Sequence, residues 1–207
     1  MQGKLIVCDG SNGAGKSTVM EHIKKYLEIN NIEYISTREP GGTDIGEKIR
    51  EILLDNANVN MCSTTELMLF AAARAQHIHE KIFPALEQGT HVISDRFESA
   101  TVSFQQYGRG LCADTVEQLN NLALGEFRPH MTIVLDLDPL IGLERVKSRG
   151  EGLDRMEDID IEFLNRARNG YLTQAKQYAE RFTVIDATQP LDDVIAAALK
   201  VVDDLVL

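Results

Sequence analysis

Short apolar runs alternate along the chain with longer stretches whose apolar residues recur at helical spacing. The short runs are Lys4–Asp9, Tyr34–Arg38, His91–Asp95, Met131–Asp136 and Phe182–Asp186. Short, nearly continuous apolar segments of this kind have the character of parallel strands buried on both faces. The longer stretches predict helices over Lys16–Ile29, Thr43–Asn56, Thr64–Gln88, Ala113–Leu124, Pro139–Arg149, Ile161–Glu180 and Leu191–Leu207. Strands and helices in alternation predict an α/β fold of three layers, a five-stranded parallel sheet with helices on both faces. No repeat, low-complexity stretch or linker-like change of composition interrupts the pattern, so residues 1–207 are expected to form one domain.

In such sheets ligands sit beyond the carboxyl ends of the strands. The first strand runs directly into Gly10-Ser11-Asn12-Gly13-Ala14-Gly15-Lys16-Ser17-Thr18, which fits G-x-x-x-x-G-K-[ST]. Glycines at these positions let backbone N–H groups curl around a triphosphate. Lys16 reaches its outer phosphates, and the Ser17 hydroxyl can ligate Mg²⁺. A strand before and a helix after are the context the motif needs, and the helix turns its positive end toward the same phosphates. The loop therefore predicts an ATP-binding site of the P-loop NTPase type, and the other strand ends become candidate chemistry around it. They read Arg38-Glu39-Pro40-Gly41-Gly42, Asp95-Arg96, Asp136-Leu137-Asp138-Pro139 and Asp186-Ala187-Thr188-Gln189-Pro190.

Charge narrows the partners. With 21 basic and 32 acidic residues the net charge is −11, a bulk field that favours neither nucleic acid nor an anionic membrane. An anionic ligand must be held by local Arg and Lys, which points to a small phosphorylated molecule in a pocket. Cys8, Cys62 and Cys112 are widely spaced with no C-x-x-C pair, so neither a disulfide framework nor a zinc site is expected. A reducing cytoplasm fits, and no leader pattern or membrane-length apolar run is read in the sequence. Cys8, inside the first strand, is most simply a small core residue. The five histidines have no defensible metal-ligand grouping.

Phosphoryl transfer asks a protein to position two anionic reactants and to stabilise spread negative charge. Asp95, ending an apolar strand, stands where such a loop protein keeps a magnesium-associated carboxylate, and Arg96 follows it toward the cleft. A surface ion pair at the strand end is the alternative for this step. Arg145, Lys147, Arg149 and Arg155 flank Gly150 and Gly152, so residues 146–160 suit a mobile, arginine-bearing lid. A solvated mixed-charge loop would look the same. Phe70 and Arg74, four apart on one helix, share a face and could stack on a base and hydrogen-bond its edge. In isolation they would equally be a core ring and a surface charge.

These segments together resemble the bacterial thymidylate kinases from end to end. The resemblance is carried by the phosphate loop, Thr37-Arg38-Glu39-Pro40-Gly41-Gly42-Thr43, Leu69-Phe70-Ala71-Ala72-Ala73-Arg74-Ala75-Gln76 and Asp95-Arg96-Phe97. Gln105 with Arg109-Gly110, Leu153-Asp154-Arg155-Met156-Glu157, and Ile185-Asp186-Ala187-Thr188-Gln189-Pro190 complete it. It implies transfer of the ATP γ-phosphoryl to dTMP with Mg²⁺, in a cytoplasmic homodimer. Gly10 to Thr18 would hold the ATP phosphates, with Ser17 and Asp95 toward the metal. Lys16, Arg96 and the lid cations Arg149 and Arg155 would be catalytic. The acceptor would meet Asn12, Glu39 before a cis Pro40, Arg50, Phe70, Arg74, Arg96, Thr101, Phe104 and Gln105, and the backbone near Asp186 to Gln189 would flank adenine. Asn12 stands where relatives often have Asp or Glu, Ala73 where Asp is common, Ala100 where a small hydroxyl is common and Phe104 where Tyr is usual. The loop has no arginine, as in the branch of the family whose catalytic arginine comes from the lid. A kinase for another nucleoside monophosphate is the near alternative. A P-loop nucleotide switch is the distant one, and the Asn-Lys-x-Asp element of guanine readers is absent.

Overall fold

A computed structural model of the protein describes residues 3–148, 153–157 and 159–206. Strands β1 (Leu5–Gly10), β2 (Tyr34–Arg38), β3 (His91–Asp95), β4 (Met131–Asp136) and β5 (Phe182–Asp186) form one sheet in the order β2-β3-β1-β4-β5. Every pairing is parallel. Crossovers between the strands are α1 (Lys16–Ile29), α2 (Asp44–Leu54), α3 (Ser63–His77), α4 (Phe83–Glu87), α5 (Glu98–Thr101), α6 (Ala113–Leu124), α7 (Pro139–Lys147) and α8 (Ile161–Gln177). Helix α9 (Leu191–Val206) closes the chain.

The strands alternate their side chains between two apolar layers, as the pleat requires. On β1, Ile6 and Cys8 face Ile23 and Leu27 of α1 and Ala198 and Val202 of α9. Leu5 and Val7 face the opposite layer, with Ile78, Ile82 and Leu124. Val134 of β4 joins a third cluster with Phe104, Phe163 and Tyr171 under α8. Cys8 is indeed a core residue, and burial pushes its thiol pKa up to about 12.

Two helical features differ from expectation. The stretch expected as a single helix from Thr64 to Gln88 is helical from Ser63 to Glu87 but loosens into a π turn over Ile78–Ile82. Pro84, without an N–H and early in α4, suits that break. The second feature had no counterpart in the periodicity: α5 continues as a π-helical segment, Val102–Gly108. Its Ser, Thr and Val are weak helix formers, so tertiary contact holds it. The Gln174 amide of α8 donates to the Ser99 carbonyl at 3.2 Å and to Ser103 Oγ at 3.1 Å. A Cβ on Gly170 would stand 2.9 Å from Ser103 Cα, so only glycine lets the two segments approach this closely.

Register decides what meets at the carboxyl edge. Cys8 pairs with Asp95 and Asp95 pairs with Arg38, while Gly10 pairs with Leu135. The start of the phosphate loop, the Asp95-Arg96 step and the Arg38-Glu39-Pro40 turn therefore open into one cleft.

Candidate active site

The loop takes its shape from backbone that glycine alone adopts freely. Gly13 has φ 76°, and a Cβ there would lie 2.3 Å from the carbonyl oxygen of Gly142. Gly142 on α7 is equally confined, since its own Cβ would fall 2.2 Å from the Asn12 carbonyl. Loop and helix thus touch backbone to backbone. Gly15 caps α1 without a side-chain hydrogen bond, and the first turn of α1 contains no acid. The N–H groups there keep their capacity for an anion.

Lys16 lies under the loop with Nζ donating to the Gly10 carbonyl at 3.2 Å and the Ser11 carbonyl at 3.0 Å. Burial, then the charge of Arg96, lowers its pKa to about 8. Arg96 has a left-handed backbone, φ 67°. Its Nη1 donates to Asp9 Oδ1 at 3.0 Å and its Nη2 to Asn12 Oδ1 at 2.5 Å. The guanidinium lies over the Phe104 ring, 5.1 Å from its centroid. Burial opposes its charge, but the Tyr171 oxygen and the carboxylates of Asp9 and Asp95 outweigh that and raise its pKa.

Beside the loop is a cavity of about 320 Å³. One wall is Asn12, Gly13, Gly15, Lys16, Ser17 and Thr18; another is Glu39, Pro40, Arg50 and Phe70. Asp95, Arg96, Thr101, Phe104 and Gln105 also line it. Most residues singled out from the sequence are thus gathered in one place. The Glu39–Pro40 bond is cis. Arg50 donates to the Pro40 carbonyl at 2.9 Å, and burial, then the charge of Arg38, lowers its pKa. Asp95 Oδ1 is buried with no hydrogen-bond partner among the described residues. Asp95 and Ser17 both line this cavity and also a polar groove beside it. An unpartnered carboxylate oxygen and a hydroxyl lining the same groove suit a hard cation. Among the described residues no group of three or more His, Cys, Asp or Glu is placed to hold a metal ion.

Other expected residues stand elsewhere. Gly10 and Ala14 are outside the cavity wall, and Ser11 lines a smaller hollow with Pro139, Leu143 and Tyr171. Arg74 is 1% exposed and sits behind the wall rather than on it. Its Nε donates to Glu39 at 2.8 Å, Nη1 to Asn120 at 2.9 Å, and Nη2 to the Phe97 carbonyl and to Thr101 Oγ1. A side chain so committed orients Glu39 and Thr101. His77 holds the other oxygen of Glu39 at 3.0 Å.

Arg155 departs further. Its Nη1 lies 2.7 Å from Glu66, and its Nε donates to the Leu53 carbonyl at 2.7 Å. It is therefore held by a buried carboxylate and does not line the cavity. Glu66 also accepts from Arg109 and Gln105. Burial works against its ionisation, but these partners prevail and lower its pKa. Arg149 lies outside the described residues. What faces the cavity from the lid segment is Asp154, Met156 and Glu157 instead. Asp9, Glu66 and Tyr171 had no signal of their own, whereas Asp154, Met156 and Glu157 stood in a segment that carried the resemblance. Lone acids and aromatics in strands and helices reveal their role only once folding brings them together.

Comparison with known proteins agrees with this geometry. The model of the family described as thymidylate kinase matches residues 8–198. The chain is similar to a protein named thymidylate kinase from Clostridium novyi, at 40% identity over 93% of this chain and 95% of that one. It is likewise similar to thymidylate kinases from Lactobacillus delbrueckii subsp. bulgaricus (44%, covering 98% and 96%) and Geobacillus sp. WCH70 (39%, covering 99% and 98%).

Proposed function

The chain belongs to the thymidylate kinase family, and on that footing we propose that it transfers the γ-phosphoryl group of ATP to dTMP, giving dTDP and ADP. The observation that carries this reading is the single cavity shared by the phosphate loop and a second, partly aromatic wall. A nucleotide switch or simple ATPase needs the first; only transfer between two nucleotides needs both.

In this reading the loop N–H groups and Lys16 hold the ATP phosphates, and Arg96 faces the phosphate of the acceptor. An acceptor phosphate oxygen attacks the γ-phosphorus in line, and the bond to the β-phosphate oxygen breaks, leaving ADP. The nucleophile is already anionic, so no base or covalent intermediate is required. Phe70 and Phe104 supply apolar faces for the base and sugar, Thr101 and Gln105 supply polar edges, and Arg50 supports the turn at Pro40. Arg74 serves by fixing Glu39 and Thr101. Mg²⁺ would be held by Ser17 and Asp95, the fit being the unpartnered buried oxygen of Asp95. When bound it would offset negative charge on the phosphate oxygens.

The whole chain would act as one kinase domain with a lid near residues 146–160. Arg149 keeps its role as the lid cation in this reading, whereas Arg155 ties the lid base to Glu66. A homodimer is supported by apolar side chains exposed on three helices that pack side by side: Ile45 and Ile52 on α2, Met68 on α3 and Leu122 on α6. The free cysteines fit a reducing cytoplasm. No helix among the described residues is long and apolar enough to cross a membrane.

The test is ADP release measured with dTMP, dUMP, dCMP and dGMP as acceptors. Fastest turnover with dTMP is expected. Equal or faster turnover with another acceptor would move the assignment to a different nucleoside monophosphate kinase, because one methyl group in a pocket separates dTMP from dUMP by only about 1–3 kcal/mol.

A further inference from the structure

Asp9 is fully buried, carries a charge-bearing group beside the cleft, and does not line the cavity. Two of its contacts, Tyr171 and Arg96, also touch each other. Oδ1 accepts from the Tyr171 hydroxyl at 2.6 Å, from Gly10 N at 2.9 Å and from Arg96 Nη1 at 3.0 Å. Oδ2 accepts from Ser99 Oγ at 2.6 Å. The Tyr171 oxygen in turn accepts from Arg96 Nη1 at 2.9 Å. Nη1 therefore meets Asp9, Tyr171 and the Gly10 carbonyl together. The phenol pKa is raised well above its ordinary value, first by burial and then by Asp9, so Tyr171 stays neutral and keeps its proton for the carboxylate.

The other edge of Arg96 is held far less. Among the described residues Nη2 donates only to Asn12, and Nε has no recorded hydrogen bond. A guanidinium fixed at one nitrogen presents its remaining edge in one orientation. A free arginine would give up rotamer entropy to do the same. The backbone contributes as well. Arg96 is held at positive φ by its N–H to the Cys8 carbonyl at 3.0 Å and by Ser94 Oγ donating to its own carbonyl at 2.8 Å. Strain of this kind persists only where surrounding contacts over-determine it.

We propose that Asp9 and Tyr171 are positioning residues that clamp Arg96 by Nη1, so that its Nη2 and Nε edge is preset for the acceptor phosphate. The inference rests on the reading of Arg96 as the acceptor-phosphate cation. It also links the site to α8, because Tyr171 stands on the helix that follows the lid segment.

A double-mutant cycle tests it. Tyr171→Phe keeps the ring that packs edge-on against Phe104 and removes only the hydroxyl. Alone it should lower kcat/KM for dTMP, and weaken dTMP binding in calorimetry, by about tenfold, the scale of a hydrogen bond to a charged group. ATP affinity should change less than about twofold, since the Tyr171 hydroxyl bonds Asp9 and Arg96 and not Lys16. In an Arg96→Ala background the same substitution should change dTMP binding and turnover by less than about twofold. Equal losses from Tyr171→Phe in both backgrounds, or no loss in the first, overturn the clamp. If Arg96→Ala itself leaves dTMP binding and turnover intact, the underlying reading of Arg96 fails instead.

Discussion

Lys16 is where the cost of building the cleft is most visible in one residue. Its ordinary pKa of 10.5 falls to about 8, first through burial and then through Arg96. Below about pH 8 the side chain is charged whether the chain is folded or not. Between 8 and 10.5 the unfolded chain holds a proton that the folded chain has released, so this group makes the ligand-free protein more stable as pH rises through that window. A bound triphosphate favours the charged form and reverses the shift. ATP binding should therefore take up a proton above pH 8 and weaken by about tenfold between pH 7 and 9. Calorimetry in buffers of different ionisation enthalpy would read the proton directly, and Lys16→Met should abolish the dependence. Glu98 has the opposite sign. Burial raises its pKa to about 7 although Arg74 pulls the other way, and its Oε2 has no hydrogen-bond partner among the described residues. The folded chain then holds a proton between 4.5 and about 7 that the unfolded chain has lost, so stability falls as pH rises through that window. Glu98→Gln should raise the Tm at pH 8 and leave it nearly unchanged at pH 5. A gain equal at both pH values would contradict the assignment.

Among the elements, contact between α7 and the phosphate loop is the tightest constraint on the site. Gly142 and Gly13 meet with no room for a Cβ on either. Gly142→Ala should displace the Asn12 carbonyl, cost about 1–3 kcal/mol of stability as overpacking, and weaken ATP binding. A variant with unchanged Tm and ATP affinity would mean that the loop yields easily. Neither contact was legible in the sequence, where Gly142 is one glycine inside an ordinary helical pattern. The strands and the phosphate loop were legible, because apolar runs and fixed glycine spacing are local signals. The segment from Glu98 to Gly108 was not, because its helix depends on α8 rather than on its own propensity. What Arg155 pairs with was hidden for the same reason. Its charge is visible in sequence, but the carboxylate that captures it, Glu66, lies on a helix far away along the chain. Arg74 follows suit: its place on the face of Phe70 was readable, whereas its four partners come from the β2–α2 turn, α6 and the two ends of α5.

Taken whole, the molecule is an acidic protein that gathers anionic substrates by concentrating cations at one edge of a parallel sheet. Net charge of −11 and a cleft bearing Lys16, Arg50 and Arg96 coexist because the register of β1 and β3 brings the loop and Asp95-Arg96 together. The exposed apolar residues of α2, α3 and α6 predict a second scale of assembly. Sedimentation should give a dimer mass, and Leu122→Glu with Met68→Glu should shift it toward the monomer. A wild-type monomer at micromolar concentration would contradict the dimer. The central claim is that one cavity seats donor and acceptor so that the γ-phosphoryl group passes directly between them. Following the label from [γ-³²P]ATP in the presence of dTMP tests this most directly. The account predicts label in dTDP with little inorganic phosphate, and almost no consumption of ATP when dTMP is omitted. Label released mainly as inorganic phosphate, at a rate indifferent to dTMP, would contradict it.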